Sequence, residues 1–290
     1  MSRLNGLKRG NHVMTARQAP IVATRATHRF CPADLFPRCT RSYCKLIFGP
    51  REAVQRRTTR AAHHDGAYRM LNRNAICSGA YLESFDSLPG EMLWTQARID
   101  ASLAQTLRQR PCDGDIWVFA YGSLLWNPVS EFDSRRIATL HGWHRSFCIR
   151  LIAGRGTPEQ PGRMLALESG GSTEGVALRL GGATVEEELR ILWIREMVTG
   201  AYRPTWAPVT LDDGTQVSAI AFVAEPEDSQ YEGDSRASSI APSMAVATGL
   251  FGTNADYVFK LQNALAECGL SDPYIDEIAS ELTRIGSHPA

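Results

Sequence analysis

Residues 115–126 of this 290-residue chain, DIWVFAYGSLLW, decide how the rest is read. An unbroken apolar run, Ile116 to Ala120, stops at Tyr121-Gly122-Ser123. A run that short, closed by a glycine turn, predicts a buried strand and not a helix. Six segments of the same kind follow: IATLHGW (137–143), RSFCIRLI (145–152), RMLALE (163–168), EGVALRL (174–180), APVTL (207–211) and QVSAIAFVAE (216–225). Each lies between Gly, Pro or Asp turn signals, and Glu168-Ser169-Gly170-Gly171 reads as a hairpin tip. Helical spacing marks 89–110, with Met92, Ile99, Leu103 and Leu107 on one face. It recurs at 185–198, at 254–267 with Tyr257, Leu261 and Leu265 on one face, and at 274–285. Many strands and few helices, without regular alternation, predict an α+β domain around a mixed, closed sheet.

Upstream of that domain the composition changes. Residues 1–80 carry a charge of +12 and the remaining 210 residues −12, although the whole chain is neutral. An acidic folded part argues against nucleic acid as its partner. Residues 1–69 show no sustained period of 2 or 3.6, so 1–80 is expected to be a basic, disordered extension and 81–286 the folded domain. Three origins compete for the extension: an organelle transit peptide, a basic arm for an anionic surface, or sequence upstream of a true start at Met70. No secretory pattern is visible, and no stretch approaches the roughly 18 apolar residues of a membrane span. A cytoplasmic location without membrane association is expected, an organelle-targeted N-terminus being the alternative. Seven scattered cysteines without a CxxC pair support neither a disulfide scaffold nor a zinc site.

The segment TVEEELRILWIREMVTG (184–200) carries the strongest chemical signal. Thr184 and Glu187 have capping-box spacing. Val185, Leu189, Leu192 and Trp193 form the apolar stripe, and the next position on it is Glu196. A carboxylate facing the core has its charged form disfavoured and its pKa raised, which suits a general base near neutral pH. A buried ion pair with Arg195 or Arg203 is the plainer alternative. In Phe119-Ala120-Tyr121-Gly122-Ser123-Leu124 the turn after the strand offers backbone N–H groups to a carboxylate or oxyanion. Ser123 does not sit in a nucleophile elbow, because Tyr121 and Leu125 occupy the two glycine positions of G-x-S-x-G. His141 and His144 lie in strand-like sequence with no acidic partner close by, which favours a structural or surface role over a metal site. Cys148 reads as a small core residue. Residues 154–163, GRGTPEQPGR, lack the Gly-Lys-Ser/Thr of a P-loop, and Arg163 is placed to pair with a ligand carboxylate or to lie solvated at the surface.

Taken together, WVFAYGSLLWNP (117–128), GWHRSFCIRL (142–151), GRGTPEQPGRMLAL (154–167), LWIREMVTGAYRPTW (192–206) and SSIAPSMAVATGLFGTNADY (238–257) resemble the ChaC family of γ-glutamylcyclotransferases, from about Tyr81 to Arg284. The resemblance implies a γ-glutamylcyclotransferase-like, partly closed β-sheet or barrel with flanking helices. It also implies a lyase needing no cofactor or metal, which cleaves glutathione to 5-oxoproline and cysteinylglycine. Its catalytic glutamate falls on Glu196, within Arg195-Glu196-Met197-Val198-Thr199-Gly200. Its substrate-binding run falls on Phe119, Ala120, Tyr121, Gly122, Ser123 and Leu124, with Arg163 and Tyr202 as further substrate contacts. Ala120 stands where the family usually has glycine, which would weaken binding if that position needs a positive φ. Two other activities stay open: a cyclotransferase for other γ-glutamyl amines or peptides, and a noncatalytic regulator of cation transport.

Overall fold

A computed structural model of the chain describes residues 71–86 and 88–286. Residues 1–70, most of the expected extension, lie outside the described residues. The boundary expected at 80 falls too late. Helices α1 (Arg73–Ser78) and α2 (Ala80–Glu83) belong to the folded part, because Ala75, Ile76 and Tyr81 are buried and the Asn72 side chain caps the Ala75 N–H at 2.9 Å. A turn of 3₁₀ helix, Gly90–Met92, leads to α3 (Gln96–Arg108). The helix expected from 89 therefore starts at 96, where the Thr95 hydroxyl accepts from Arg98 N. Ile99 and Leu103 of α3 are fully buried, as their spacing predicts.

Five strands close into a barrel in the order β1-β3-β2-β4-β5: β1 (Ile116–Ala120), β2 (Ser134–Leu151), β3 (Gly162–Leu180), β4 (Tyr202–Leu211) and β5 (Gln216–Ala224). Neighbours are antiparallel except β1 and β5, whose parallel pairing at Trp117↔Ala219 completes the ring. All five residues of β1 are buried, which explains their unbroken apolar run.

The four short segments expected between 137 and 180 are two long strands forming one ribbon. Residues 168–171 are no hairpin tip: His144 pairs with Glu168 and Trp143 with Ser169, and the register shifts by a bulge just beyond. Gly170 and Gly171 have φ of 107° and 69°, so the glycines that read as a turn instead shape an exposed bulge.

Helix α4 (Val185–Glu196) follows β3 through a 3₁₀ turn at Gly182–Thr184. That turn replaces the expected capping box, and Thr184 makes no side-chain cap. Leu189, Leu192 and Trp193 are buried as the stripe predicts, each contributing about 1.5–3 kcal/mol by burial. The C-terminal part adds α5 (Ala237–Val246), a short β6 (Thr248–Gly249) and β7 (Gly252–Thr253) hairpin, α6 (Asn254–Glu267) and α7 (Pro273–Gly286). Helix α5 was hidden in the sequence by Pro242 inside it. Among the described residues no helix is long and apolar enough to cross a membrane.

Candidate active site

The last residue of α4 places Glu196 at a cavity beside the end of β1. The apolar stripe rotates its carboxylate inward, and the side chain is 14% exposed. Burial raises its carboxyl above the usual carboxylate range, and the neighbouring Arg195 cation opposes part of that effect. Glu196 Oε1 lies 3.2 Å from Arg195 Nε. It has no hydrogen-bond partner among the described residues. The ion pair with Arg195, one of the alternatives read from the sequence, is present, and the same carboxylate lines the cavity.

Arg195 organises the surroundings. Its Nη2 donates to Ser123 Oγ at 2.8 Å and its Nη1 to the Asn127 carbonyl, while its own carbonyl accepts from Tyr81 Oη at 3.0 Å. The Ser123 hydroxyl thus accepts from a guanidinium.

Four residues beyond the helix lies Gly200, at φ 68°, against which the Trp94 indole packs so closely that a Cβ would lie 2.0 Å from its ring atoms. Glycine is required there by both the backbone and the space.

The turn after β1 is fixed from two sides. Arg145, buried on β2, donates from Nε to the Tyr121 carbonyl at 2.8 Å and pairs through Nη1 with Asp272 at 2.7 Å. On the other side the Tyr257 hydroxyl is hydrogen-bonded to the Ser123 backbone. A Cβ on Gly122 would come within 2.9 Å of that hydroxyl, so close approach is what makes this residue glycine. Burial pushes the Tyr257 phenol up to about 12, so it stays a neutral donor.

Of the expected site residues, Glu196, Ser123, Arg163 and Tyr202 line one cavity. Phe119 and Ala120 do not: both are fully buried in the barrel. Tyr121 and Leu124 are buried behind the cavity, and the Tyr121 hydroxyl donates to the Phe222 carbonyl at 2.6 Å. These residues and Gly122 can serve the site only by holding the turn. Ala120 pairs with Val176 in an ordinary strand and its φ is not positive, so the departure from glycine carries no backbone strain. Arg163 is engaged by Glu232 through an ion pair and the Glu232 carbonyl. Tyr202 Oη donates to the Leu165 carbonyl at 2.8 Å.

The sequence reading missed Asn254, Tyr257 and the aromatic residues Tyr81 and Phe85 on the same cavity. Tyr257 shares the apolar stripe of α6, and its hydroxyl was the available signal. Its stripe carries it to the barrel mouth, where it also packs edge-on to Trp126 at 5.4 Å. His141 and His144 are exposed, bonded to Thr210 Oγ1 and the Gly170 carbonyl, and Cys148 is buried. Among the described residues no three His, Cys, Asp or Glu side chains gather to hold a metal.

The chain is similar to known proteins over most of its folded part. The family described as ChaC-like protein matches residues 116–285. A glutathione-specific gamma-glutamylcyclotransferase of Escherichia coli (strain K12) is 47% identical over 216 residues, 74% of this chain and 94% of that protein. Glutathione-specific gamma-glutamylcyclotransferase 1 of Homo sapiens is 33% identical over 165 residues, 54% of this chain and 74% of its own. A crystal structure of a glutathione-specific γ-glutamyl cyclotransferase from yeast superposes with a TM-score of 0.56 at 22% identity, covering 61% of this chain and 100% of that one. That likeness establishes the fold.

Proposed function

This chain belongs to the ChaC-like family, and on that premise we propose that it is a glutathione-specific γ-glutamylcyclotransferase with Glu196 as its base. The observation that carries the reading is the buried Glu196 carboxylate on the cavity wall, raised by that burial against the Arg195 cation beside it.

The α-amine of the γ-glutamyl group attacks its own side-chain carbonyl, and the carbonyl carbon's bond to the cysteinyl nitrogen breaks. The products are 5-oxoproline and cysteinylglycine. The ring closure is intramolecular, so a pocket that holds the glutamyl chain folded supplies much of the acceleration. The amine is mostly protonated near neutral pH, and Glu196 takes its proton and returns it to the leaving nitrogen. Arg195 keeps the carboxylate ionised and positioned, while the turn at Ser123 and the Tyr257 hydroxyl face the glutamyl head.

Incubating the purified chain with glutathione should release cysteinylglycine and 5-oxoproline in equal amounts; faster turnover of simple γ-glutamyl amino acids would move the assignment to a broader cyclotransferase. A noncatalytic role in cation transport leaves a buried carboxylate on the cavity wall without a purpose. The acidic charge of the folded part and its cysteines, none of the described ones in a disulfide, fit a small-molecule enzyme of the cytoplasm.

The pH dependence follows in sign. Glu196 works ionised, and its folded pKa is raised, so kcat/KM should fall off on the acid side at a higher pH than an ordinary glutamate would give. Replacing the opposing cation, Arg195→Met, should move that limb to still higher pH, read from kcat/KM profiles of the two proteins.

The relative from E. coli is matched over nearly its whole length by 216 residues of this chain. Residues 1–69 are therefore proposed to be dispensable. A chain starting at Met70 should show the Tm and kcat/KM of the full chain, and a lower Tm would mean that the extension packs on the domain.

A further inference from the structure

Residues 71–93 precede the stretch matched by the family, yet they build one side of the catalytic cavity. Three polar ties seat them. Arg73 forks onto Glu188 at 2.6 and 2.8 Å, and that carboxylate, 3% exposed, also accepts from Glu131 N at 2.7 Å. Asn127 Nδ2 donates to the Leu71 carbonyl at 2.7 Å. Tyr81 Oη donates to the Arg195 carbonyl, one residue from the base.

Held in this way, Tyr81 and Phe85 meet Phe251 of the β6–β7 hairpin in a closed aromatic triangle, with ring centroids 5.2, 5.7 and 6.2 Å apart. All three rings line the cavity. The cavity is therefore chemically divided. Glu196, Ser123, Tyr202, Arg163, Gln230 and Asn254 are among its polar groups, and the triangle supplies an aromatic wall whose one hydroxyl is already committed as a donor.

We infer that the triangle of Tyr81, Phe85 and Phe251 is the subsite for the thiol of the leaving dipeptide and determines which residue is accepted after the γ-glutamyl group. The inference rests on the γ-glutamyl reading. Once the amine is placed at Glu196, the polar part of the cavity is taken by the glutamyl head, and the next side chain of the substrate is left with the aromatic wall. Sulfur makes favourable contacts with ring edges, whereas a hydroxyl there loses water and finds no committed partner. The chemistry at the scissile bond is the same for a cysteinyl and a seryl substrate, so any preference between them reports the wall.

The test is competition between glutathione and γ-glutamyl-seryl-glycine in one reaction. The wild-type chain should favour the thiol by about tenfold in kcat/KM, the range a single side-chain contact supplies. Phe85→Leu and Phe251→Leu keep apolar bulk and remove a ring, and each should bring the ratio to within about threefold of unity. Tyr81→Phe keeps the ring and should retain the wild-type ratio. Product inhibition of the unaltered chain gives a second readout that needs no variant: cysteinylglycine should inhibit at about tenfold lower concentration than serylglycine. Equal use of the two tripeptides by wild type, equal inhibition by the two dipeptides, or an undiminished ratio in folded Leu variants would overturn the inference. Absence of any 5-oxoproline from glutathione would instead sink the functional reading beneath it.

Discussion

Glu196→Gln should fold and bind like the wild-type chain and lose turnover by a factor of about 10²–10⁴, the usual contribution of a positioned proton acceptor. Gln keeps the size of the side chain and its place at the end of α4, and removes only the capacity to take the amine proton. The same substitution makes a second, opposite expectation about stability. A folded-state pKa raised above the unfolded value means that the folded protein holds the proton more tightly. The stability from that protonation is fully present below the unfolded pKa and is lost as pH rises through the folded one. The neutral Gln does not titrate, so Glu196→Gln should melt at or above the wild-type temperature at pH 8, and the difference should shrink toward pH 4. A variant that is inactive and also less stable at pH 8 would point to a structural role in the ion pair with Arg195. A variant that keeps more than a few per cent of the rate would dismiss Glu196 as the base. Glu168 and Asp115 offer poor substitutes, because Glu168 accepts from Tyr231 Oη at 2.6 Å and Asp115 pairs with Arg179 at 3.3 Å, both outside the cavity.

What the sequence could and could not tell follows from the range of each signal. Glu196 was legible because a helical stripe is a local pattern, and one charged residue on an apolar face is visible in five neighbouring letters. The strand β1 and the glycine turn after it were legible for the same reason. The ribbon of β2 and β3 was broken into four pieces, because Gly170 and Gly171 carry the positive φ of a turn whether the chain reverses or only bulges. The capping box failed on tertiary grounds: Gly182–Thr184 winds into a 3₁₀ turn, and Glu188 in the same helix start is drawn to Arg73, 115 residues away. Residues 71–80 were assigned to the extension, and their reason to fold lies in partners such as Glu188 and Asn127, which only the closed barrel brings to them. Tyr257 was correctly put on a buried face, but the stripe alone does not say that its hydroxyl reaches the backbone at Ser123.

N-acetylglutathione should give no detectable 5-oxoproline under conditions in which glutathione is fully converted. The nucleophile is the glutamyl α-amine; acetylation delocalises that nitrogen's lone pair into the acetyl carbonyl and leaves an N–H far too weakly acidic for a carboxylate to take. The linkage matters equally. From the α-amine only the γ-carbonyl closes a five-membered ring; attack on an α-linked carbonyl would close a three-membered one, so α-glutamyl-cysteinylglycine should be inert as well. Both compounds carry the cysteinyl side chain and the terminal carboxylate intact, so they should still compete with glutathione for the aromatic side of the cavity, and their failure would lie in the chemical step. Free glutamate should be absent from every reaction, because the carbonyl is attacked from within the substrate and not by water. Glutamate as the main product would mean hydrolysis through an acyl-enzyme and would return Ser123 to consideration. The structure speaks against that outcome in one contact: Ser123 Oγ accepts a hydrogen bond from Arg195 Nη2 at 2.8 Å, and a hydroxyl facing a cation that cannot take its proton is not activated as a nucleophile.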